Sequence, residues 1–296
     1  MDKHEKINPS FFIIGNPRSG TTLLRLMLTT HQKVIIPPEC SFLTWLFPKY
    51  EKYNQRPLTL RVRERILSDI IVSKKFDTWK LNSAELIEFV HDRNISSYYE
   101  FCSLVYEFYR HKFKSNATLI GDKNNIHLEH IRMLASMSRT SKFLHIIRDG
   151  RDVACSYRNV MKKNYDTNLA PTLPTDIAEM IEHWVSNIKI IETSLSKLDA
   201  SRVKTIRFED LVQNPQDTLE RVCMFLDIPY DSKMLNYYIE NKRNELEPKA
   251  LMPWKKETLK AVNASRIGSY KSDLSSHEQS LFALKAGHLL SRYLYI

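Results

Sequence analysis

The chain has 296 residues, 43% hydrophobic and 26% charged, which excludes a collagenous, low-complexity or largely disordered polypeptide. Forty-four Lys and Arg against 34 Asp and Glu leave a formal charge of +10, suited to an anionic partner such as nucleic acid, acidic lipid, polysaccharide or a polyphosphate. Four cysteines (Cys40, Cys102, Cys155, Cys223) form no C-x-x-C pair, so metal-site spacing is absent and reduced, buried thiols are expected.

Residues 1–6 are charged, and only a four-residue apolar run follows them at 11–14. No secretory apolar region and no run near 18 apolar residues is present, so a cytoplasmic chain without a membrane span is expected. Apolar runs at 11–14, 34–36, 118–120, 142–147 and 203–208 predict buried strands. Helical patterns at 21–30, 126–137, 149–163, 177–198 and 216–226 fall between and after them. Strands alternating with helices predict an α/β fold, a P-loop-like parallel sheet flanked by helices. From residue 42 to about 115 the sequence is helical and aromatic-rich, an insertion placed like a lid or acceptor-side cap within a single domain spanning 1–296.

Glycine is scarce, six in all, and two of the six frame the most informative segment. Gly15-Asn16-Pro17-Arg18-Ser19-Gly20-Thr21-Thr22 follows the first strand and opens a helix. Its spacing is G-x-x-x-x-G, but Thr21 stands where a nucleoside triphosphatase carries Lys. Such a loop gathers backbone N–H groups at a helix N-terminus and suits a tetrahedral anion, with Arg18 supplying positive charge. Downstream, Phe143-Leu144-His145-Ile146-Ile147-Arg148-Asp149-Gly150-Arg151-Asp152 ends a strand at Arg148, and Asp149 or Asp152 is placed to cap the next helix. Ser156 falls two turns into that helix, where its hydroxyl is expected beside the Arg148 guanidinium as a phosphate clamp. Glu39 follows the second strand and the rigid Pro37-Pro38 pair, and Lys123 follows Gly121-Asp122. Both lie beyond strand C-termini, which face the crevice of an α/β sheet.

The loop Pro17-Arg18-Ser19-Gly20-Thr21-Thr22 resembles the 5′-phosphosulfate loop of the sulfotransferases that use 3′-phosphoadenosine-5′-phosphosulfate (PAPS). The Arg form is similar to the tyrosylprotein and bacterial carbohydrate branches. The resemblance implies that Arg148 and Ser156 hold the 3′-phosphate, that Phe208 packs on the adenine, and that Arg266 and Gly268 belong to a late segment closing over the 3′-phosphate, with Ser269 or Lys271 as its other candidates. It further implies that Glu39, 21 residues after Arg18, is the catalytic base and that Lys123 stabilises the leaving group alongside Arg18. Here Asn124-Asn125 replace the residues that commonly follow that Lys. His127 is the alternative base, and no metal is implied.

The expected reaction is transfer of a sulfuryl group from PAPS to a hydroxyl acceptor, carbohydrate or peptide tyrosine, releasing 3′-phosphoadenosine-5′-phosphate (PAP). No nucleic-acid partner is expected. The alternatives are a P-loop kinase-like enzyme using ATP and a non-catalytic polyanion-binding protein. The lysine-rich segment 249–260 reads as a solvated face.

Overall fold

Five short strands, of which β1 and β2 are wholly apolar, set the architecture. The computed structural model describes residues 8–54, 57–91 and 93–296. Strands β1 (Phe11–Ile14), β2 (Val34–Ile35), β3 (Leu119–Lys123), β4 (Lys142–Ile147) and β5 (Val203–Arg207) form one parallel sheet in the order β2-β3-β1-β4-β5. β1 is central: Phe11 pairs with Gly121 on one side and Lys142 on the other.

Successive side chains of a strand point to opposite faces, and β1 divides accordingly. Phe11 and Ile13 enter a core shared with α1 (Thr21–Thr30), α9 (Pro215–Phe225) and α10 (Tyr237–Asn244). Phe12 and Ile14 enter a second core, shared with α2 (Leu60–Ile71), α3 (Ser83–His91) and α4 (Tyr98–Phe113) of the insertion, and with α5 (Ile131–Met137). A third apolar cluster joins α6 (Gly150–Met161), α7 (Ile177–Leu195) and α11 (Ser276–Arg292). The predicted α/β sheet and helical insertion are therefore both present. All four cysteines are buried and free. Among the described residues, no helix is long and apolar enough to cross a membrane.

Three boundaries differ from the sequence reading. The apolar pattern of β3 stops at Ile120, but pairing of Gly121, Asp122 and Lys123 with β1 carries the strand on, so Lys123 ends a strand rather than lying in a loop. The predicted strand 203–208 ends at Arg207, and Phe208 opens α8 (Phe208–Gln213). The predicted helix 126–137 divides into a 3-10 turn, Asn125–Glu129, and α5.

Candidate active site

The loop between β1 and α1 is built to present N–H groups. Arg18 (φ 69°) and Gly20 (φ 93°) both adopt left-handed backbone, which curls the loop over the helix start. A non-glycine residue held there costs ~1–3 kcal/mol, a strain that clusters at ligand sites. Gly20 is required twice over, because a Cβ would also lie 2.4 Å from the Phe208 ring. Among the described residues no side chain caps α1, leaving its first-turn N–H groups for a ligand. Asn16 braces the loop: its amide donates to the Pro17 carbonyl (2.8 Å) and the Tyr157 hydroxyl (2.9 Å), and its oxygen accepts from Asn187 (2.8 Å). The glycine spacing signalled the loop but not this brace from α6 and α7.

A cavity of about 1070 Å³ opens in front of the loop. Pro17, Arg18, Gly20, Thr21, Thr22, Glu39, Lys123, Arg148, Ser156, Phe208, Arg266 and Ser269 all line it. Ser19 is fully buried behind the loop, and its hydroxyl has no partner among the described residues. Gly268 (φ 72°) is not in the wall; its N–H, with the Ser269 hydroxyl and Tyr270 N–H, bonds the Asp152 carboxylate at 2.9–3.1 Å. Asp152 therefore anchors the late segment, and Asp149 is the helix cap, accepting from Arg151 N–H. Lys271 is exposed and outside the wall.

Ser156 departs from its expected place. Its hydroxyl accepts from Arg18 Nε at 3.2 Å, while the Arg148 guanidinium donates to the carbonyls of Arg18 (3.4 Å) and Arg266 (2.9 Å). Arg148 also lies over the Phe208 ring, 4.5 Å from its centroid, so Phe208 is the floor of a charged pocket rather than plain core. Arg18 and Arg148 are both largely desolvated. Burial, followed by Arg148, lowers the pKa of Arg18; burial also lowers that of Arg148, against Asp152 and other carboxylates. Arg148 Nε is buried without a partner among the described residues. Two close guanidiniums, an orphaned N–H and an uncapped helix start all call for an anion, and the residues fit a phosphosulfate and a second phosphate.

A second charged centre stands at the end of β3. Glu39, 7% exposed, pairs with Lys123, with Lys75 (3.2 Å) and with Lys255 (3.5 Å). Lys123 also reaches the Thr22 hydroxyl at 3.5 Å, joining this centre to the loop. Burial works to raise the Glu39 carboxyl, but Lys123, Lys255 and Lys75 outweigh it and hold the group well below the usual carboxylate range. Burial pushes the Lys123 ammonium down to about 8, with Glu39 opposing.

Lys255 corrects the solvated-face reading of 249–260: it is 7% exposed and bonded to buried Glu247 at 2.5 Å, with Glu247 in turn held by Arg25 at 2.6 Å. His127 is corrected too. It is fully buried, lies outside the cavity wall and bonds Asp122 (2.7 Å), which also accepts from Tyr106 (2.7 Å) and Asn124 (2.9 Å). Asn124 continues to the Cys40 carbonyl (3.3 Å), so this network ties the Lys123 strand to the Glu39 turn. Trp79 pins the same turn, donating to the Pro38 carbonyl at 2.8 Å.

Beyond Glu39 the wall becomes apolar. Phe42, Trp45, Leu46, Val72, Leu169 and Leu173 line it, and Trp45 and Val72 are 70% and 77% exposed. Most other insertion aromatics are core, as expected. Among the described residues, no group of three or more His, Cys, Asp and Glu side chains is placed to hold a metal.

Comparison with known proteins accords with this arrangement. Protein-tyrosine sulfotransferase A of Caenorhabditis elegans is 27% identical over 239 residues, covering 80% of this chain and 54% of that protein. The protein-tyrosine sulfotransferase of Drosophila melanogaster is 24% identical over 265 residues, covering 88% and 47%. The chain thus spans about half the length of these curated relatives. The same fold is found in the sulfotransferase domain from the curacin biosynthetic pathway (TM-score 0.57, 21% identity, 94% of this chain and 98% of that one). It recurs in the sulfotransferase domain of the Synechococcus PCC 7002 olefin synthase (TM-score 0.51, 21% identity, 92% and 96%). The sulfotransferase family profile matches residues 9–232, taking in the phosphate loop, Glu39, Lys123, Arg148 and all five strands, and the chain belongs to that family.

Proposed function

We propose that the protein transfers the sulfuryl group of PAPS to a hydroxyl acceptor, a peptide tyrosine or a carbohydrate, releasing PAP. The observation that carries this reading is one cavity holding both an anion cradle with unpaired cationic donors and a carboxylate–lysine pair. The loop N–H groups, Arg18 and Thr22 would receive the 5′-phosphosulfate, with Arg148 and the late segment at the 3′-phosphate and Phe208 against the adenine. PAPS supplies the activated sulfuryl group. Ser156, bonded to Arg18, orients that guanidinium rather than adding to the Arg148 clamp.

Glu39 accepts the acceptor's proton at a carboxylate oxygen, and Lys123 offers its ammonium to the departing 5′-phosphate oxygen. Positioned charge of this kind carries most of the acceleration in group transfer between oxygens. The apolar wall with Trp45 suits a phenol ring or the apolar face of a sugar, and the names of the curated relatives favour tyrosine.

Calorimetry with PAP and with Mg-ATP tests the donor, and labelled PAPS with tyrosyl peptides and saccharides tests the acceptor. PAP binding without ATP binding is expected. Glu39→Gln should keep PAP affinity and lose ~10²–10⁴-fold in turnover, the usual contribution of a general base. A chain that binds Mg-ATP and ignores PAP would overturn the reading.

A further inference from the structure

One buried lysine belongs to neither the phosphate loop nor the Glu39–Lys123 pair. Lys255 lines the same cavity as Thr22, Glu39 and Lys123. The carbonyl of the preceding residue, Trp254, accepts from Arg18 at 3.1 Å, so the loop arginine fixes the backbone from which Lys255 extends. Its Nζ stands 2.5 Å from Glu247 Oε1 and 3.5 Å from Glu39 Oε1. Glu247 is itself held rigidly: its other oxygen takes Arg25 at 2.6 Å, and its N–H donates to Asn241 at 2.8 Å.

The charges around this wall do not cancel. Among the described residues, the ion pairs of Arg25, Lys75, Lys123 and Lys255 all fall on two carboxylates, Glu39 and Glu247. Arg25 alone neutralises Glu247, and Lys123 alone neutralises Glu39. Lys75 comes from the insertion and its side chain is 23% exposed, whereas that of Lys255 is 6% exposed. Enclosing an ammonium costs several kcal/mol unless charge answers it, and two carboxylates shared among four cations answer it only in part. An enclosed excess cation between the phosphate loop and the carboxylate is instead matched to an incoming anion.

We propose that Lys255 is a second catalytic cation, paired with Lys123 about the transferring sulfuryl group, and that Glu247 is the residue that positions it; this rests on the donor reading above. As the acceptor oxygen bonds to sulfur, the bond from sulfur to the bridging oxygen breaks and its electron pair leaves on the 5′-phosphate. The acceptor proton goes to Glu39. Lys123 and Lys255 donate hydrogen bonds to the oxygens gaining charge and keep their protons. Turning the two ammonium groups toward the donor also strips Glu39 of counter-cations, raising its proton affinity as it is needed.

The test compares wild type with Lys255→Met, Lys255→Gln and Lys255→Arg by PAP calorimetry, thermal denaturation and kinetics across pH. Lys255→Met should lose ~10²-fold in kcat, the scale of one removed transition-state donor, while binding PAP within about threefold of wild type. Its acid limb of kcat/KM should move to higher pH, because Glu39 keeps Lys123, Lys75 and Arg18 but loses one cation, with Glu247 still opposing. Lys255→Arg should recover about tenfold of the loss by restoring the charge. Lys255→Gln, which keeps a donor to Glu247 without charge, carries the same expectation if the Met variant does not fold. A kcat within about threefold of wild type, or equal losses in PAP affinity and kcat with an unmoved acid limb, would overturn the assignment. Wild type that fails to bind PAP overturns the donor reading itself; wild type that binds and turns over beside an undiminished Lys255→Met overturns Lys255 alone.

Discussion

Lys123 places a titrating group in the working pH range. Burial lowers its ammonium to about 8 even with Glu39 beside it, and the proposed chemistry needs the protonated form. Activity should therefore fall as pH rises through that value, apart from the acid limb set by Glu39. We expect a single-proton basic limb near pH 8 in kcat/KM, and Lys123→Arg, whose guanidinium stays charged to above pH ~12, should remove the limb while keeping measurable turnover. An unchanged limb in the Arg variant would take Lys123 out of the titration. Residues of this centre differ in how legible they are. Glu39 could be found because a rigid Pro37-Pro38 pair delivers it from a strand end, and Lys123 because an apolar run leads to it. Lys255 could not, since its burial depends on Glu247 and, through it, on Arg25, which lies 222 positions away from Glu247. A local window sees only lysines.

At the scale of elements, α6 shows what periodicity can and cannot supply. The sequence narrowed the helix cap to Asp149 or Asp152, of which Asp149 caps α6, but the position of Ser156 was not readable. Ser156 lies six residues into α6, ~9 Å along its axis at 1.5 Å per residue, and shares the cavity wall with Arg148 without a hydrogen bond to it among the described residues. The neighbouring loop brings Arg18 to it instead. Gly150, the first residue of α6, serves packing: a Cβ there would lie 2.6 Å from the Trp184 indole of α7, whose N–H donates to the Arg148 carbonyl at 3.2 Å. Gly150→Ala should therefore part α6 from α7, costing ~1–3 kcal/mol as overpacking does, and weaken PAP binding through Arg148. Denaturant titration beside PAP calorimetry checks both, and a variant as stable as wild type would show that the indole yields freely.

Across the whole molecule the insertion shares its packing with the sheet. Phe12, Ile14, Ile35, Ile120 and Phe143 of the sheet share one core with Trp79, Phe101, Tyr106 and the rest of the insertion. We propose one folding unit, with a single heat-absorption peak whose calorimetric and van't Hoff enthalpies agree; two resolved peaks would mark an independent cap. The alternation of strands and helices was legible, but the strand order was not, because which strand lies beside β1 depends on crossovers that no local pattern records. The close guanidiniums of Arg18 and Arg148 also have a practical meaning at the bench. A cradle shaped for oxyanions discriminates poorly against small inorganic ones, so sulfate and phosphate in a buffer should compete with the proposed donor. Donor constants measured in phosphate and in an amine buffer should then disagree, and the disagreement should scale with the concentration of the buffer anion.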